Sequence, residues 1–353
     1  MGIEIMDNKE VILDYLEGFI TTNKAKGIIS ESKLSAELGI QGQIGEKKLL
    51  QGGWLLSPKN IDESSLPRFL IFTTNSVYQN VEEVKHSIKK LEQDRGWQTL
   101  ATFLTKNGIG VVVAGCYSNE NLINFDNLSW NHFVYQNEHL NEMTKDSPFI
   151  NWLGNRGRGA KNNVPWDAKI KEVFANTDID TLMKISIRQA FYQSYLKKQL
   201  KKPVIDPYDV DGFIVGFSGD VMPLEIKEKS VSDKGEFGID VGRVLMLLRL
   251  CLATGNNGLY IIRELDRNQS RTLIGWRFIT LANIIMGCKW NLSGGGRGMQ
   301  GGSTQTIMIS EKLFTPLTKN IFSEEWIQTN NNLQNSMSMS ISDLINNLKK
   351  YLI

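Results

Sequence analysis

The chain has 353 residues, of which 41% are hydrophobic and 22% charged, a composition that fits a soluble globular protein with a sizeable core. The formal net charge is only +2, so a polyanionic partner would have to be bound by local basic patches. The three histidines and three cysteines lack zinc-ligand spacing, which disfavours a structural zinc site. The charged N-terminal sequence predicts no signal peptide and the longest apolar run is too short to span a membrane, so we expect a cytoplasmic protein without a membrane partner.

The N-terminal region predicts mainly helical structure. Residues 9 to 20 carry apolar side chains at helical spacing, and residues 29 to 40 predict a second helix with Ser30 or Ser32 as a candidate N-cap. Together with the GGWLLSP segment that follows, this pattern is compatible with a winged-helix-like unit. A small helical subdomain packed on the rest of the chain is the more ordinary interpretation.

The next region predicts an α/β unit followed by loops. Residues 67 to 77 and 108 to 118 are rich in β-branched side chains and predict strands, and the residues between them have helical periodicity. This order predicts two parallel strands joined by a helix. Residues 120 to 168 are polar with isolated aromatics, and they predict irregular structure that could contact DNA.

Two glycine-rich basic segments are candidate DNA contacts. NRGRGAKNN carries Arg156, Arg158 and Lys161 without an acid, and its small residues would let backbone and cations approach phosphates closely. The glycine-dense residues 293 to 304 could contact DNA in a similar way, anchored by Arg297. The ordinary alternatives are a solvated surface loop for the first segment and a flexible turn for the second.

The clearest long helix is predicted for the segment TLMKISIRQAFYQSYLKKQL. Residues 184 to 202 hold six basic side chains and no acid, a pattern typical of a solvated helix face that would also suit a surface facing phosphates. Arginine and glutamine can pair with base edges, so Arg188, Gln189 and Gln193 are candidate DNA contacts on this helix.

The C-terminal half predicts further α/β structure. Residues 237 to 253 predict a buried helix and residues 258 to 265 a buried strand, and the chain ends in a polar linker and an amphipathic helix over residues 341 to 352. The predicted segments are residues 1 to 65, 66 to 165, 166 to 310 and 311 to 353.

Residues 209 to 230, DVDGFIVGFSGDVMPLEIKEKS, place acids and lysines in apolar strands. They predict two adjacent strands joined by a tight turn. Because side chains alternate along a strand, Glu225 and Lys227 share one face, and Asp209 and Asp211 share a face of the preceding strand. In register, an Asp, a Glu and a Lys would converge, and two carboxylates would suit Mg²⁺. A buried structural salt bridge is the alternative interpretation, although an excess of buried acids without a metal would be unfavourable.

Residues 180 to 290 resemble the PD-(D/E)xK nuclease superfamily and, within it, the type II restriction endonucleases. The leading helix, the DVDGFIV and PLEIKEK strands, the apolar helix and the GLYIIREL strand are similar to the αβββαβ core of that family. This resemblance implies a mixed β-sheet flanked by helices and Mg²⁺-dependent phosphodiester hydrolysis. By motif, Asp211 and Glu225 would hold the metal, and Lys227 would assist the nucleophilic water.

Other residues near the motif have less definite expected roles. Asp209 is an alternative metal ligand, since alternation places it on the same side as Asp211. Many family members carry a Glu on the leading helix, and Gln189 or Gln193 stands there in this chain, which leaves a second metal site open. Lys229 is a candidate phosphate contact, and Glu228 is expected to face outward on the surface.

The predicted function is that of a type II restriction endonuclease, which hydrolyses double-stranded DNA at a specific site. The resemblance also implies a homodimer and a functional pairing with a DNA methyltransferase, without a stable complex between the two. Two alternatives stay open from the sequence. One is a structure-selective PD-(D/E)xK nuclease of DNA repair or recombination, and the other is a DNA-binding regulator without catalytic activity.

Overall fold

The fold is mixed α/β, with a large mixed sheet flanked by helices, as the sequence predicts. The computed structural model describes residues 8–20, 22–38, 49–57, 68–120, 123–143, 166–200, 207–267, 272–287, 306–337 and 343. Among the helices in these ranges, none is long and apolar enough to cross a membrane. The chain forms two compact units, Met1–Ser32 with Gly52–Asp209, and Lys33–Gln51 with Val210–Ile353. The predicted four-segment division stays a prediction.

The helices and strands are numbered in chain order. The helices are α1 (Asn8–Phe19), α2 (Thr22–Glu37), α3 (Val81–Leu91), α4 (Arg95–Lys106), α5 (Ala168–Ala175), α6 (Ile179–Ala190), α7 (Val241–Thr254), α8 (Leu281–Gly287) and α9 (Glu324–Asn330). A π-helix follows α6 directly over Phe191–Gln199, and short 3₁₀ turns cover Glu311–Leu313 and Lys319–Phe322. The strands are β1 (Leu49–Leu56), β2 (Arg68–Tyr78), β3 (Ile109–Tyr117), β4 (Ser129–Gln136), β5 (His139–Glu142), β6 (Tyr208–Val215), β7 (Val221–Lys229), β8 (Glu236–Asp240), β9 (Leu259–Leu265), β10 (Leu273–Thr280), β11 (Thr306–Ser310) and β12 (Thr315–Pro316).

The first unit contains the strand order β1-β2-β3-β4-β5. Strands β2 and β3 are parallel, which confirms the predicted crossover, and the other neighbouring pairs are antiparallel. Helices and strands of this unit share one apolar core because each buries a hydrophobic face. The core includes Ile12, Leu16, Trp54, Ile71, Val112, Phe174 and Phe191.

The β2–β3 connection contains two helices where the sequence predicted one. Asn80 accepts a hydrogen bond from the Glu83 amide at 3.0 Å and starts α3, and Asp94 accepts one from the Trp97 amide at 2.9 Å and starts α4. Side-chain caps of this kind satisfy amides that have no partner inside the helix. The second cap therefore begins a new helix in the middle of a continuous apolar pattern.

The region predicted to be irregular between residues 120 and 168 contains two strands. Strand β4 pairs with β3 and β5 with β4, and β4 buries Trp130, Phe133 and Tyr135. The prediction was wrong because the polar side chains between these aromatics concealed a half-buried strand. Aromatic residues at this spacing are themselves a strand signal.

The N-cap predicted at Ser30 or Ser32 was also wrong, since α2 begins at Thr22 and includes both serines. The Ser30 hydroxyl donates to the Lys26 carbonyl at 3.0 Å, and the Ser32 hydroxyl donates to the Ile29 carbonyl at 2.9 Å. Both serines thus bond back to the preceding helical turn. The GGWLL segment that follows forms β1 and pairs antiparallel with β2.

The second unit contains the strand order β12-β10-β9-β7-β6 and a separate pair, β8 with β11. Strands β6 and β7 form the predicted antiparallel hairpin, whose turn includes Gly219 at φ +103°, a conformation that glycine adopts without steric cost. Strands β7 and β9 are parallel, and α7 lies between them in the chain and packs against β7. This arrangement places β6, which carries Asp211, beside β7, which carries Glu225 and Lys227.

The helix predicted over residues 237 to 253 begins later, at Val241. The Asp240 carboxylate accepts a hydrogen bond from the Arg243 amide at 3.3 Å and caps α7. The preceding residues form β8 instead, which pairs with β11. The sequence prediction merged strand and helix because Phe237 and Ile239 of the strand are as apolar as the helix itself.

Several predicted features lie outside the described residues. These are the candidate DNA contacts Arg156, Arg158, Lys161 and Arg297 and, apart from Asp343, the C-terminal amphipathic helix. Their assignments stay predictions.

One glycine of β1 makes a packing contact that can be tested. A Cβ at Gly53 would lie 2.3 Å from the Ile71 carbonyl oxygen, whereas a Cβ at Gly275 in β10 would have no atom within 4 Å. A backbone oxygen in a paired strand cannot move aside, so we expect Gly53→Ala to lower the free energy of unfolding by roughly 1–3 kcal/mol. Urea denaturation measures the change, and Gly275→Ala is the matched control. Equal stabilities of the two variants would contradict this packing.

Candidate active site

The register of three neighbouring strands brings the motif residues together. Gly212 of β6 pairs with Leu224 of β7, and continuing that register places Asp211 opposite Glu225. On the other side of β7, Glu225 pairs with Tyr260 of β9. The sequence folds this way locally because a tight turn fixes the register of the hairpin and the apolar residues of both strands are buried.

The two carboxylates and the lysine lie in direct contact. The Lys227 Nζ atom lies 3.2 Å from Asp211 Oδ2 and 2.6 Å from Glu225 Oε1. The Ile226 amide also donates to Asp211 Oδ2, at 2.7 Å, which fixes the orientation of that carboxylate. A second cation stands close by, with Arg243 Nε 3.7 Å from Glu225 Oε1. The predicted convergence of Asp211, Glu225 and Lys227 is therefore what the structure contains.

The acids are buried and the cations are partly exposed. The side chains of Glu225 and Asp211 are 0% and 3% exposed, and those of Lys227 and Arg243 are 25% and 33% exposed. Any molecule that reaches this cluster from solvent therefore meets the cations first. In the described ranges, the Glu225 Oε2 atom is buried without a hydrogen-bond partner, an unfavourable state for a carboxylate.

Burial controls the protonation of the cluster. Burial and, to a smaller extent, the Asp211 charge raise the pKa of Glu225 to about 7, against the opposite effect of Lys227 and Arg243. Burial lowers the pKa of Lys227, but the Asp211 and Glu225 carboxylates outweigh it and hold that pKa above its ordinary value. Near neutral pH the cluster is thus an ionised lysine beside a glutamate that is easily protonated.

Glu225 is expected to make stability depend on pH in a defined direction. Its folded-state pKa of about 7 exceeds the ordinary value of 4.5, so the folded chain binds the proton more tightly and loses stability as pH rises through this interval. In EDTA, Glu225→Gln should therefore be more stable than the wild type at pH 8 by roughly 1–3 kcal/mol, with a smaller difference at pH 5.

Denaturant titrations at both pH values measure this effect. The exposed Glu120 provides the control, since Glu120→Gln changes a solvent-exposed side chain and should alter the free energy of unfolding little at either pH. A Glu225→Gln variant that is less stable than the wild type at pH 8 would contradict the buried, unsatisfied state of this carboxylate.

The donor set fits a hard divalent cation. Asp211 and Glu225 offer carboxylate oxygens on adjacent strands, and a cation would give the buried Oε2 atom of Glu225 the partner that it lacks. Among the described residues, no group of three or more His, Cys, Asp and Glu side chains is placed to hold a metal ion. In this cluster, Asp211 and Glu225 are the side chains whose carboxylate oxygens could contact such a cation.

The alternative metal ligand Asp209 has a different partner. In the first unit, the Arg188 guanidinium donates to Asp209 Oδ1 and, at 2.8 Å, to Glu31 Oε2. Arg188 and Gln189 are 5% and 2% exposed, so they are placed inside the protein rather than on a DNA-facing surface. The DNA contacts of Arg188 and Gln189 and the metal role of Asp209 stay predictions.

The remaining predicted residues differ in their exposure. Gln193 lies in the π-helix, partly buried, and accepts a hydrogen bond from Lys197 Nζ at 3.0 Å. Lys229 is partly buried at the end of β7. Glu228 was predicted to face outward, and this was wrong, because its side chain is 6% exposed and lies 3.4 Å from Arg263 Nη1. The sequence did not indicate that Arg263 is buried and forms an ion pair with Glu228.

Sequence reasoning also missed Arg243 as a member of the site. The sequence feature that could have identified Arg243 is a basic residue three positions after Asp240, in the first turn of a helix, where a cation opposes the helix dipole.

The chain matches no family model, and no curated protein or solved structure matches it. Its function is therefore inferred from the chemistry of the site.

Proposed function

We propose that the chain is a type II restriction endonuclease that hydrolyses phosphodiester bonds of double-stranded DNA at a specific site, with Mg²⁺ as cofactor. The observation that carries this proposal is the contact of Asp211, Glu225 and Lys227, with Lys227 Nζ within 3.2 Å of both carboxylates. Two buried acids beside a lysine at the end of paired strands suit metal-assisted attack on a phosphate better than they suit a structural ion pair.

The element order supports the family part of the proposal. Helix α6, strands β6, β7 and β8, helix α7 and strand β9 follow each other in the chain as in an αβββαβ core. The motif acids stand on β6 and β7, and β9 lies parallel to β7. One departure is that β8 pairs with β11 in a separate two-stranded sheet.

Each residue of the site has a defined chemical role in this proposal. Asp211, held by the Ile226 amide, and Glu225 would coordinate Mg²⁺, which lowers the pKa of a water molecule and offsets charge on a phosphoryl group when it is bound. Lys227 would donate a hydrogen bond that orients the attacking water and would stabilise the extra negative charge of the transition state.

The reaction itself is a hydrolysis. The water oxygen forms a new bond to phosphorus, the bond from phosphorus to one sugar oxygen breaks, and that oxygen leaves with a proton. The products are a phosphate monoester and a hydroxyl group. We further propose that the enzyme acts as a homodimer and is paired in the cell with a DNA methyltransferase.

Cleavage of defined DNA substrates tests this proposal. Purified protein is incubated with Mg²⁺ and with unmethylated phage DNA, or with nicked and branched DNA, and the products are resolved by electrophoresis. Discrete fragments from the phage DNA support a restriction enzyme. Cuts confined to nicked or branched DNA would indicate a structure-selective nuclease instead, and intact DNA in every reaction would contradict any nuclease.

A further inference from the structure

Two cations beside the acid pair have no role in the hydrolysis described above. Arg243 extends from the first turn of α7 to within 3.7 Å of Glu225 Oε1 and keeps a 33% exposed side chain. Lys229 follows Glu225 and Lys227 at alternate positions of β7, so the three side chains share one face of the strand.

Lys229 is partly buried without the partner that such a lysine normally has. Within the part of the chain that the structure describes, its ammonium group makes no ion pair and no hydrogen bond. Burial lowers the pKa of Lys229, and the nearby Lys227 ammonium lowers it further, while Asp240 and Glu225 act weakly in the opposite direction. Its position is therefore unfavourable in the absence of an anion.

Arg243 is also placed at a cost to the fold. A cation in the first turn of a helix opposes the helix dipole, and here the Asp240 carboxylate already caps the helix through the Arg243 amide. Arg243 contacts Glu225 from α7, and Lys229 shares a face of β7 with Glu225 and Lys227. Bound phosphates would offset both costs, because each cation would gain a charge-assisted hydrogen bond.

We propose that Arg243 and Lys229 each bind a backbone phosphate of the DNA and so position the strand over Asp211, Glu225 and Lys227. The DNA is named on the basis of the proposed function; the binding of a phosphate group depends on the two cations alone. Both residues contact the substrate directly, without taking part in proton transfer or metal coordination.

The salt dependence of DNA binding tests this proposal without any cleavage. The probe is a fluorescently labelled DNA duplex in EDTA, and anisotropy gives the binding constant at several salt concentrations. The logarithm of the binding constant falls linearly as the logarithm of the salt concentration rises, and each phosphate contact makes this slope steeper by about one unit. We expect Arg243→Gln and Lys229→Gln each to make the slope less steep by about one unit and to weaken binding several-fold at low salt.

Two further variants provide controls. Arg243→Lys keeps the charge and should keep the slope, and Lys319→Gln removes an exposed lysine of the same unit and should leave the slope unchanged. Wild-type slopes in both glutamine variants would overturn the proposal, as would a wild-type protein without measurable affinity for the duplex. Cleavage measured in parallel separates the two proposals, because a chain that binds through these cations but never cuts contradicts the nuclease alone.

Discussion

Replacing Asp211 by Asn, or Lys227 by Met, is expected to lower the rate of DNA cleavage by at least ~10³-fold while DNA affinity is kept. Asp211 Oδ2 is the oxygen that both Lys227 Nζ and the Ile226 amide contact, so its charge and its position belong to one site. Losing the metal ligand or the lysine removes stabilisation that exists only in the transition state, at a cost of several kcal/mol. Affinity should be unchanged or increased in the Asn variant, since a carboxylate that repels phosphate is lost.

Single-turnover cleavage and duplex binding measure the two quantities separately. The control is Asp220→Asn in the same hairpin, because Asp220 accepts hydrogen bonds from Ser218 and Asn331 and lies in the turn. This variant should cut DNA at nearly the wild-type rate. Cutting that survives both Asp211→Asn and Lys227→Met would show that the reaction occurs elsewhere in the chain.

A large loss of stability is expected for Arg188→Met. Arg188 is 5% exposed and lies between the carboxylates of Asp209 and Glu31, and its guanidinium group stands 5.9 Å from the centre of the Trp54 ring. Removing the cation takes the Arg188 ion pair away from two largely buried carboxylates. We expect the free energy of unfolding to fall by about 3–5 kcal/mol.

Urea denaturation of matched variants checks the cause of this loss. Arg267→Met, which removes a surface partner of the exposed Asp233, should cost less than about 1 kcal/mol. Adding Glu31→Gln and Asp209→Asn to Arg188→Met should restore part of the lost stability, because the two carboxylate charges that lose the Arg188 ion pair are then removed. A loss no larger than that of Arg267→Met would contradict a buried ion cluster.

The acid–lysine site could be predicted from sequence because it is built from local rules. Asp211, Glu225 and Lys227 belong to one hairpin, so strand alternation and the turn were enough to bring them together. The parallel pair β2 and β3 was predictable for a similar reason, as a strand, a helical pattern and a second strand in succession.

The rest of the site depends on packing between distant segments. The contact of Arg243 with Glu225 requires α7 to begin at Val241 and to pack on β7, and the sequence pattern placed the start of this helix several residues earlier. The partners of Arg188 and of Glu228 lie far away in the chain, and periodicity has no information about them. Charged residues in apolar strands were thus detectable, but their partners were not.

We propose that the Asp211, Glu225 and Lys227 cluster cuts DNA with Mg²⁺ at a specific sequence. The most direct measurement is a digest of a sequenced genomic library with and without Mg²⁺, by the wild type and by Asp211→Asn, followed by mapping of the new DNA ends. We expect DNA ends at one short recurring sequence that require Mg²⁺ and are absent with the variant. No ends above background from the wild type, or the same ends from Asp211→Asn, would contradict it.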